Sequence, residues 1–207
     1  MPSNTFYRLS EEKKKKLTDA AIEEFSSVSY SEASINTIIA KAEISRGSFY
    51  MYFEDKEDLF KYLLSQHKEI FDQITRESFE ANNGDLFEGF KMLFRKVNDY
   101  LHQPDNQKFL KQVLLNMNSK QEDFIIPHRP HLHQKEHFTE ILKLVNIKNL
   151  NVESEDDLIA ALDIIMPITV HTLVMVVMHE LPNDEANRIY LQKLKLLKEG
   201  IERREVC

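Results

Sequence analysis

The stretch from Ser34 to Phe60, SINTIIAKAEISRGSFYMYFEDKEDLF, constrains this chain more than any other. Ser34 is an N-cap residue type, and Ile35, Ile38, Ile39 and Ala42 follow at i, i+3, i+4, i+7 spacing, which predicts a short helix with one apolar face. Glu43 and Ile44 then supply a turn, with Ile44 directed inward between the helices. Ser45 caps a second short helix running through Arg46 and Gly47 to Phe53, and Phe49 and Phe53, four apart, face the core. Glu54 and Asp55 start a third helix. Two such short helices joined by a tight turn form a helix-turn-helix, a device that sets its second helix into the DNA major groove.

Four residues in this stretch are odd choices for a purely structural element. Gly47 is a poor helix former, costing about 1 kcal/mol against Ala in a helix interior. A glycine near a helix start makes sense where another backbone, such as a phosphodiester, must approach closely. Arg46 and Ser48, at the same helix start, are types that bond base edges and phosphates. Lys56 stands in the first turn of the next helix, where a cation opposes the helix dipole. A phosphate docked on that helix end supplies one reason for it.

Ala40 to Phe53, followed by Lys56-Glu57-Asp58-Leu59-Phe60, closely resembles the DNA-binding domain of TetR-type (TetR/AcrR) transcriptional regulators. Glu43-Ile44-Ser45 stands at the family's turn, Ser48 where Thr is usual, and Tyr52 where His is common. The likeness covers roughly the first 60 residues. It implies a homodimer that places two recognition helices on a palindromic operator, most often as a repressor, and a small-molecule pocket in the C-terminal domain. By position, the family's operator contacts fall on Thr37, Ser45, Arg46, Gly47, Ser48, Tyr50 and Lys56, with Tyr50 and Lys56 mainly on phosphates.

The remaining sequence reads as all-α, with about nine helices. Gly 4 and Pro 6 are few among 207 residues, and hairpin signals are missing. The expected division is a three-helix DNA-binding domain over 1–56 and an effector-binding and dimerisation domain over 57–207. No Gly-rich phosphate loop, nucleophile elbow, HExxH or CxxC occurs, so an enzyme is not expected. The single cysteine, Cys207, allows no internal disulfide, and the N-terminus has no apolar signal region; both suit a cytoplasmic protein.

Charge argues against a broad nucleic-acid footprint. The net charge is −7, and residues 1–60 carry eight Lys/Arg against eleven Asp/Glu. Positive surface must therefore be local, from Arg8 and the Lys13–Lys16 run or from the recognition helix itself. The lysine run reads equally well as a solvated helix face.

Helix 1 is expected from Ser10 to about Val28, with Leu17, Ala20, Ala21, Phe25 and Val28 inward, preceded by a mobile arm over 1–9. A long helix continues from Lys56 to a stop at Asn82-Asn83-Gly84-Asp85. Further helices fit 85–102, 104–119, about 133–145, 155–180 and 184–203. Ile164 to Met178 reads IIMPITVHTLVMVVM, apolar nearly all round. Such a helix must be buried on every side, and its own subunit covers only one. At 15 apolar residues it falls short of the ~20 that span a bilayer, so no membrane is expected. A symmetric partner then provides the missing cover, giving a homodimer through the helices near 155–180 and 184–203.

The apolar pocket expected for a small, largely apolar effector draws on Phe90, Phe94, Phe109, Val113, Met117, Phe138, His171 and Met175, since Phe and Met make adaptable walls. These types suit an ordinary core equally well. His171 within the apolar helix reads as a core histidine, as a polar anchor for a greasy ligand, or as an axial haem ligand. His128, His131, His133 and His137 crowd together, with the last two one helical turn apart. They form either a polar loop beside Pro127 and Pro130 or a Zn, Ni or Cu site. No cofactor is required; a metal- or haem-sensing regulator of the same fold is the alternative. The effector, operator and regulated genes are not legible.

Overall fold

A computed structural model describes residues 1–116 and 141–200. They form helices α1 (Asn4–Tyr7), α2 (Glu11–Ser27), α3 (Ile35–Ala42), α4 (Arg46–Tyr52), α5 (Lys56–Ala81), α6 (Leu86–Leu101) and α7 (Pro104–Asn116), then a 3-10 turn (Ile147–Asn149), α8 (Glu155–His179) and α9 (Asn183–Glu199). No strand occurs among the described residues. Of these residues, 1–70 and 103–116 make one compact unit, and 71–102 with 141–200 make another.

In the first unit, α2 starts where the Ser10 hydroxyl accepts the Lys13 N–H, and Glu11 and Glu12 complement the positive helix end. Leu17, Ala20, Ala21 and Phe25 are its buried stripe, as the spacing predicts; Val28 is half-buried. That stripe packs against α3 and α7. Phe49 and Phe53 are buried at 0% and 1% exposure, and Leu59, Phe60, Leu63 and Leu64 continue the core along α5.

The N-terminal segment departs from expectation. Residues 1–9 are not a loose arm: Ser3 accepts the Phe6 N–H to cap α1, and the Ser3 N–H donates to the Tyr52 carbonyl at 2.9 Å. Phe6 is 0% exposed. Its ring lies 4.9 Å from Phe53 and 5.1 Å from Tyr62, centroid to centroid. A single-turn helix has no periodicity to reveal it; the buried Phe6 and the Ser3 hydrogen bonds to the Met51 and Tyr52 carbonyls hold it in place.

In the second unit, α5 ends as the turn chemistry predicts. Asn83 and Gly84 take positive φ (53° and 76°), and the Gly84 N–H closes onto the Phe79 carbonyl at 2.8 Å. Asp85 caps α6 by accepting the Glu88 N–H. Gly89 is demanded by packing, since a Cβ there would stand 2.6 Å from the Phe79 ring. Helix α8 opens with a capping box between Ser154 and Asp157. α6, α8 and α9 pack on one another. At their centre Phe94 stacks on Tyr190, with centroids 3.9 Å apart, and the Tyr190 hydroxyl bonds to Thr169 Oγ1 at 2.8 Å. Burial holds the Tyr190 hydroxyl well above the usual phenol range.

α8 buries Leu158, Leu162, Ile165, Thr169, Thr172, Val176 and Val177. All but Val177, next to Val176, follow at spacings of three or four and so define one face. The opposite face, with Ile164, Pro167 and His171 one turn apart, is exposed in the single chain. The helix is long and apolar enough to cross a membrane by length and composition, beyond the 15-residue apolar core read from the sequence, and 28% of its most apolar window is buried.

Candidate nucleic-acid interface

The helix-turn-helix is built from local bonds. α3 ends in a left-handed residue, Glu43 (φ 55°), with Glu43 N–H on the Ala40 carbonyl at 3.3 Å and Ile44 N–H on the Ile39 carbonyl at 3.1 Å. This is a Schellman stop made without glycine. The Glu43 carboxylate is turned outward to Lys16 on α2, 2.5 Å away, and the hydrogen bond from that lysine lowers its pKa. Ile44 is half-buried in the turn. Ser34 precedes α3 as expected but makes no side-chain cap. Its N–H donates instead to the buried Glu24 carboxylate at 2.9 Å. The Ser45 hydroxyl caps α4, accepting the Ser48 N–H at 3.0 Å and bonding the Ser48 hydroxyl at 2.8 Å.

The start of α4 projects a polar group of residues into solvent. Ser45, Arg46, Gly47 and Tyr50 are exposed, while Ser48 and Thr37 are half-buried. Arg46 donates through Nη1 to Asn36 Oδ1 at 2.7 Å and through Nη2 to the Tyr50 hydroxyl at 3.2 Å. Its guanidinium lies 5.5 Å from the Tyr50 ring centroid. A guanidinium has five N–H donors, so three stay available to an outside acceptor. Asn36 was missed in the sequence; nothing in its spacing distinguishes it from a solvated polar residue on α3.

Gly47 has no internal explanation. A Cβ there would meet nothing nearer than Ser45 Oγ at 3.8 Å. Nothing among the described residues requires glycine there. Lys56 has a different environment from the one expected of a phosphate contact: its Nζ donates to the carbonyls of Tyr30, Ser31 and Ala33. The lysine run is largely neutralised by neighbours, with Lys14 on Glu11, Lys15 on Asp19 and Lys16 on Glu43.

The described pocket residues are divided between the two units. Phe90 and Phe94 are fully buried on α6, and Met175 is half-buried on α8, all in the second unit. Phe109 and Val113 belong to the first unit, where Val113 borders a water-sized cleft with Phe25, Tyr30, Phe60, Gln112 and Asn116. His171 is exposed in the single chain, on the α8 face opposite the buried stripe. Met117, Phe138 and the four histidines His128, His131, His133 and His137 lie outside the described residues. Among the described residues no group of three or more His, Cys, Asp or Glu is arranged to hold a metal.

A helix-turn-helix whose capped second helix presents an arginine fork and an unhindered glycine is the arrangement of a DNA-binding transcriptional regulator. Residues 17–63 match the family described as bacterial regulatory proteins, tetR family. Residues 85–201 match the tetracyclin repressor-like C-terminal domain. The chain belongs to the TetR family, a family of transcription regulators rather than enzymes. A Bacillus subtilis (strain 168) protein, the uncharacterized HTH-type transcriptional regulator YdgC, is 29% identical over 112 residues, which are 53% of this chain and 57% of that protein. The match thus spans little more than half the length of that curated relative. Two solved structures share the fold. The fatty acid degradation regulator FadR from Bacillus halodurans has a TM-score of 0.67 at 20% identity, covering 95% of this chain and 100% of that one. A putative TetR-family regulator from Syntrophomonas wolfei str. Goettingen has 0.65 at 23%, covering 93% and 97%.

Proposed function

We propose that this regulator is a cytoplasmic repressor that binds a palindromic operator as a homodimer and is released by a small, largely apolar effector. The functional division falls at 56/57: Thr37, Ser45, Arg46, Gly47, Ser48 and Tyr50 meet the DNA, and Lys56 serves the same surface. The remainder, 57–207, binds effector and partner. The observation that carries the DNA side of this reading is the start of α4, where Arg46 is held out in solvent beside a glycine with no internal reason to be one.

Dimerisation is supported by the exposed apolar face of α8 and by Leu196 on α9, which is 46% exposed in the single chain. A symmetric interface buries the same patch on both subunits. Release follows from population shift: effector favours a state in which the two recognition helices no longer match successive major grooves about 34–36 Å apart. The long α5 is the lever in this scheme. The apolar character of the effector is supported by the aromatic content around Phe90 and Phe94, and the fold is shared with a fatty acid degradation regulator.

Selection of bound sequences from a random DNA pool tests the reading, with sedimentation of the free protein alongside. The expected products are an inverted repeat with half-sites one helical turn apart and a dimer at micromolar concentration. Recovered DNA without two-fold symmetry, or a monomer, would overturn it.

A further inference from the structure

Lys56 opens α5, at the end of the helix where acids are normally favoured. Its ammonium is drawn back into the protein. Nζ donates to the carbonyl of Tyr30 at 2.6 Å, of Ala33 at 2.9 Å and of Ser31 at 3.2 Å. It also lies 4.7 Å from the centroid of the Tyr30 ring. An ammonium has three N–H donors, and here each meets a carbonyl of the same loop.

That loop connects α2 to α3 and is tied from both sides. Tyr30 stacks on Phe25 of α2 with centroids 6.1 Å apart, and packs on Phe60 of α5 at 4.9 Å. The Ser34 N–H, the last before α3, is held by Glu24 of α2. Lys56 is the tie from the α5 side. The helix that follows the loop, α3, carries Asn36, and Asn36 holds Arg46 on α4. A chain of contacts therefore leads from Nζ through the loop carbonyls to the exposed guanidinium.

We propose that Lys56 is a positioning residue: it gathers the carbonyls of residues 30, 31 and 33, fixes the entry of α3 against α5, and so sets the aim of the α4 surface. It does this without itself donating to a phosphate, because a phosphate contact would take Nζ from carbonyls that then lose their partner. The inference rests on the DNA-binding reading above.

Two variants separate positioning from phosphate contact. Lys56→Met keeps the aliphatic stem and removes the donors. Lys56→Arg keeps the charge, but a planar fork cannot converge on three carbonyls around one point. Each is measured in two ways: amide hydrogen exchange over residues 29–36 in DNA-free protein, and affinity for a selected operator as a function of salt. Positioning predicts that Lys56→Met raises exchange in that segment about tenfold or more. It predicts weaker operator binding by both variants with the salt slope of wild type. Phosphate binding by Lys56 predicts instead that Lys56→Met has a slope lower by about 0.9 for each phosphate it no longer neutralises, and that Lys56→Arg binds almost normally. Unchanged exchange in Lys56→Met, or a reduced slope, would overturn the proposal. Should wild type itself not bind DNA, the DNA-binding reading fails, and the exchange measurement alone still decides what Lys56 does.

Discussion

Asn36 and Arg46 bridge the two helices of the helix-turn-helix: the Asn36 amide oxygen accepts from Arg46 Nη1 at 2.7 Å, with both side chains exposed. The bond contributes little to stability at such a position, so its consequence lies in orientation. It fixes Nη1 while the Tyr50 hydroxyl holds Nη2, and three N–H donors remain for an outside acceptor. Asn36→Ala is expected to leave the melting temperature unchanged and to reduce discrimination between specific and unrelated DNA. Competition binding checks this; equal loss on both DNAs would show that Asn36 does not orient Arg46 for base reading.

Gly47 and Gly89 make opposite predictions. Gly89→Ala forces a Cβ to 2.6 Å from the Phe79 ring and is expected to destabilise by about 1–3 kcal/mol. Gly47→Ala meets nothing in the protein and is expected to stabilise by up to about 1 kcal/mol through helix propensity. On the proposed function it should nevertheless weaken DNA binding, because the added methyl would meet an approaching phosphodiester. Denaturant titration and a gel shift on the same preparations separate the two effects.

Phe6→Ala tests whether the N-terminal segment is part of the fold. The ring is fully buried against Phe53 and Tyr62, and the loss is expected at about 3 kcal/mol, the low end for a buried Phe because a terminus can relax. An unchanged urea midpoint would return residues 1–9 to the status of a loose arm.

His67 gives a pH signature. It is 8% exposed and stacks on Phe109, and burial lowers its pKa to about 4 from 6.5. Above pH 6.5 it is neutral both folded and unfolded, and it contributes no pH dependence. Between pH 6.5 and 4 the unfolded chain takes up a proton that the folded one refuses, so stability falls with falling pH by up to about 1.4 kcal/mol per unit. His67→Leu should flatten the stability profile across that window; an unchanged slope would assign the effect to other groups.

What could be read from the sequence followed the range of the interactions. Ser10, Ser45 and the Asn83-Gly84 stop act within a few residues, and the caps of α2 and α4 and the end of α5 are where their spacing places them. The Phe49 and Phe53 pair is likewise buried as its period requires. Glu24 and Lys56 were opaque because their partners are backbone groups of a loop ten and more residues away, which no side-chain pattern marks. α1 is a single turn and has no period. The side of α8 on which His171 lies was not legible because a helix apolar on all sides gives no sign of which face its own subunit covers.

The role of Arg46 is tested most directly by the affinity of wild type and Arg46→Ala for the DNA upstream of the protein's own gene, against unrelated DNA at the same salt. Wild type is expected to prefer the upstream DNA, and Arg46→Ala to lose about 1–3 kcal/mol of that preference per half-site with an unchanged melting temperature. Binding of the upstream DNA by Arg46→Ala as tightly and selectively as by wild type would contradict that role.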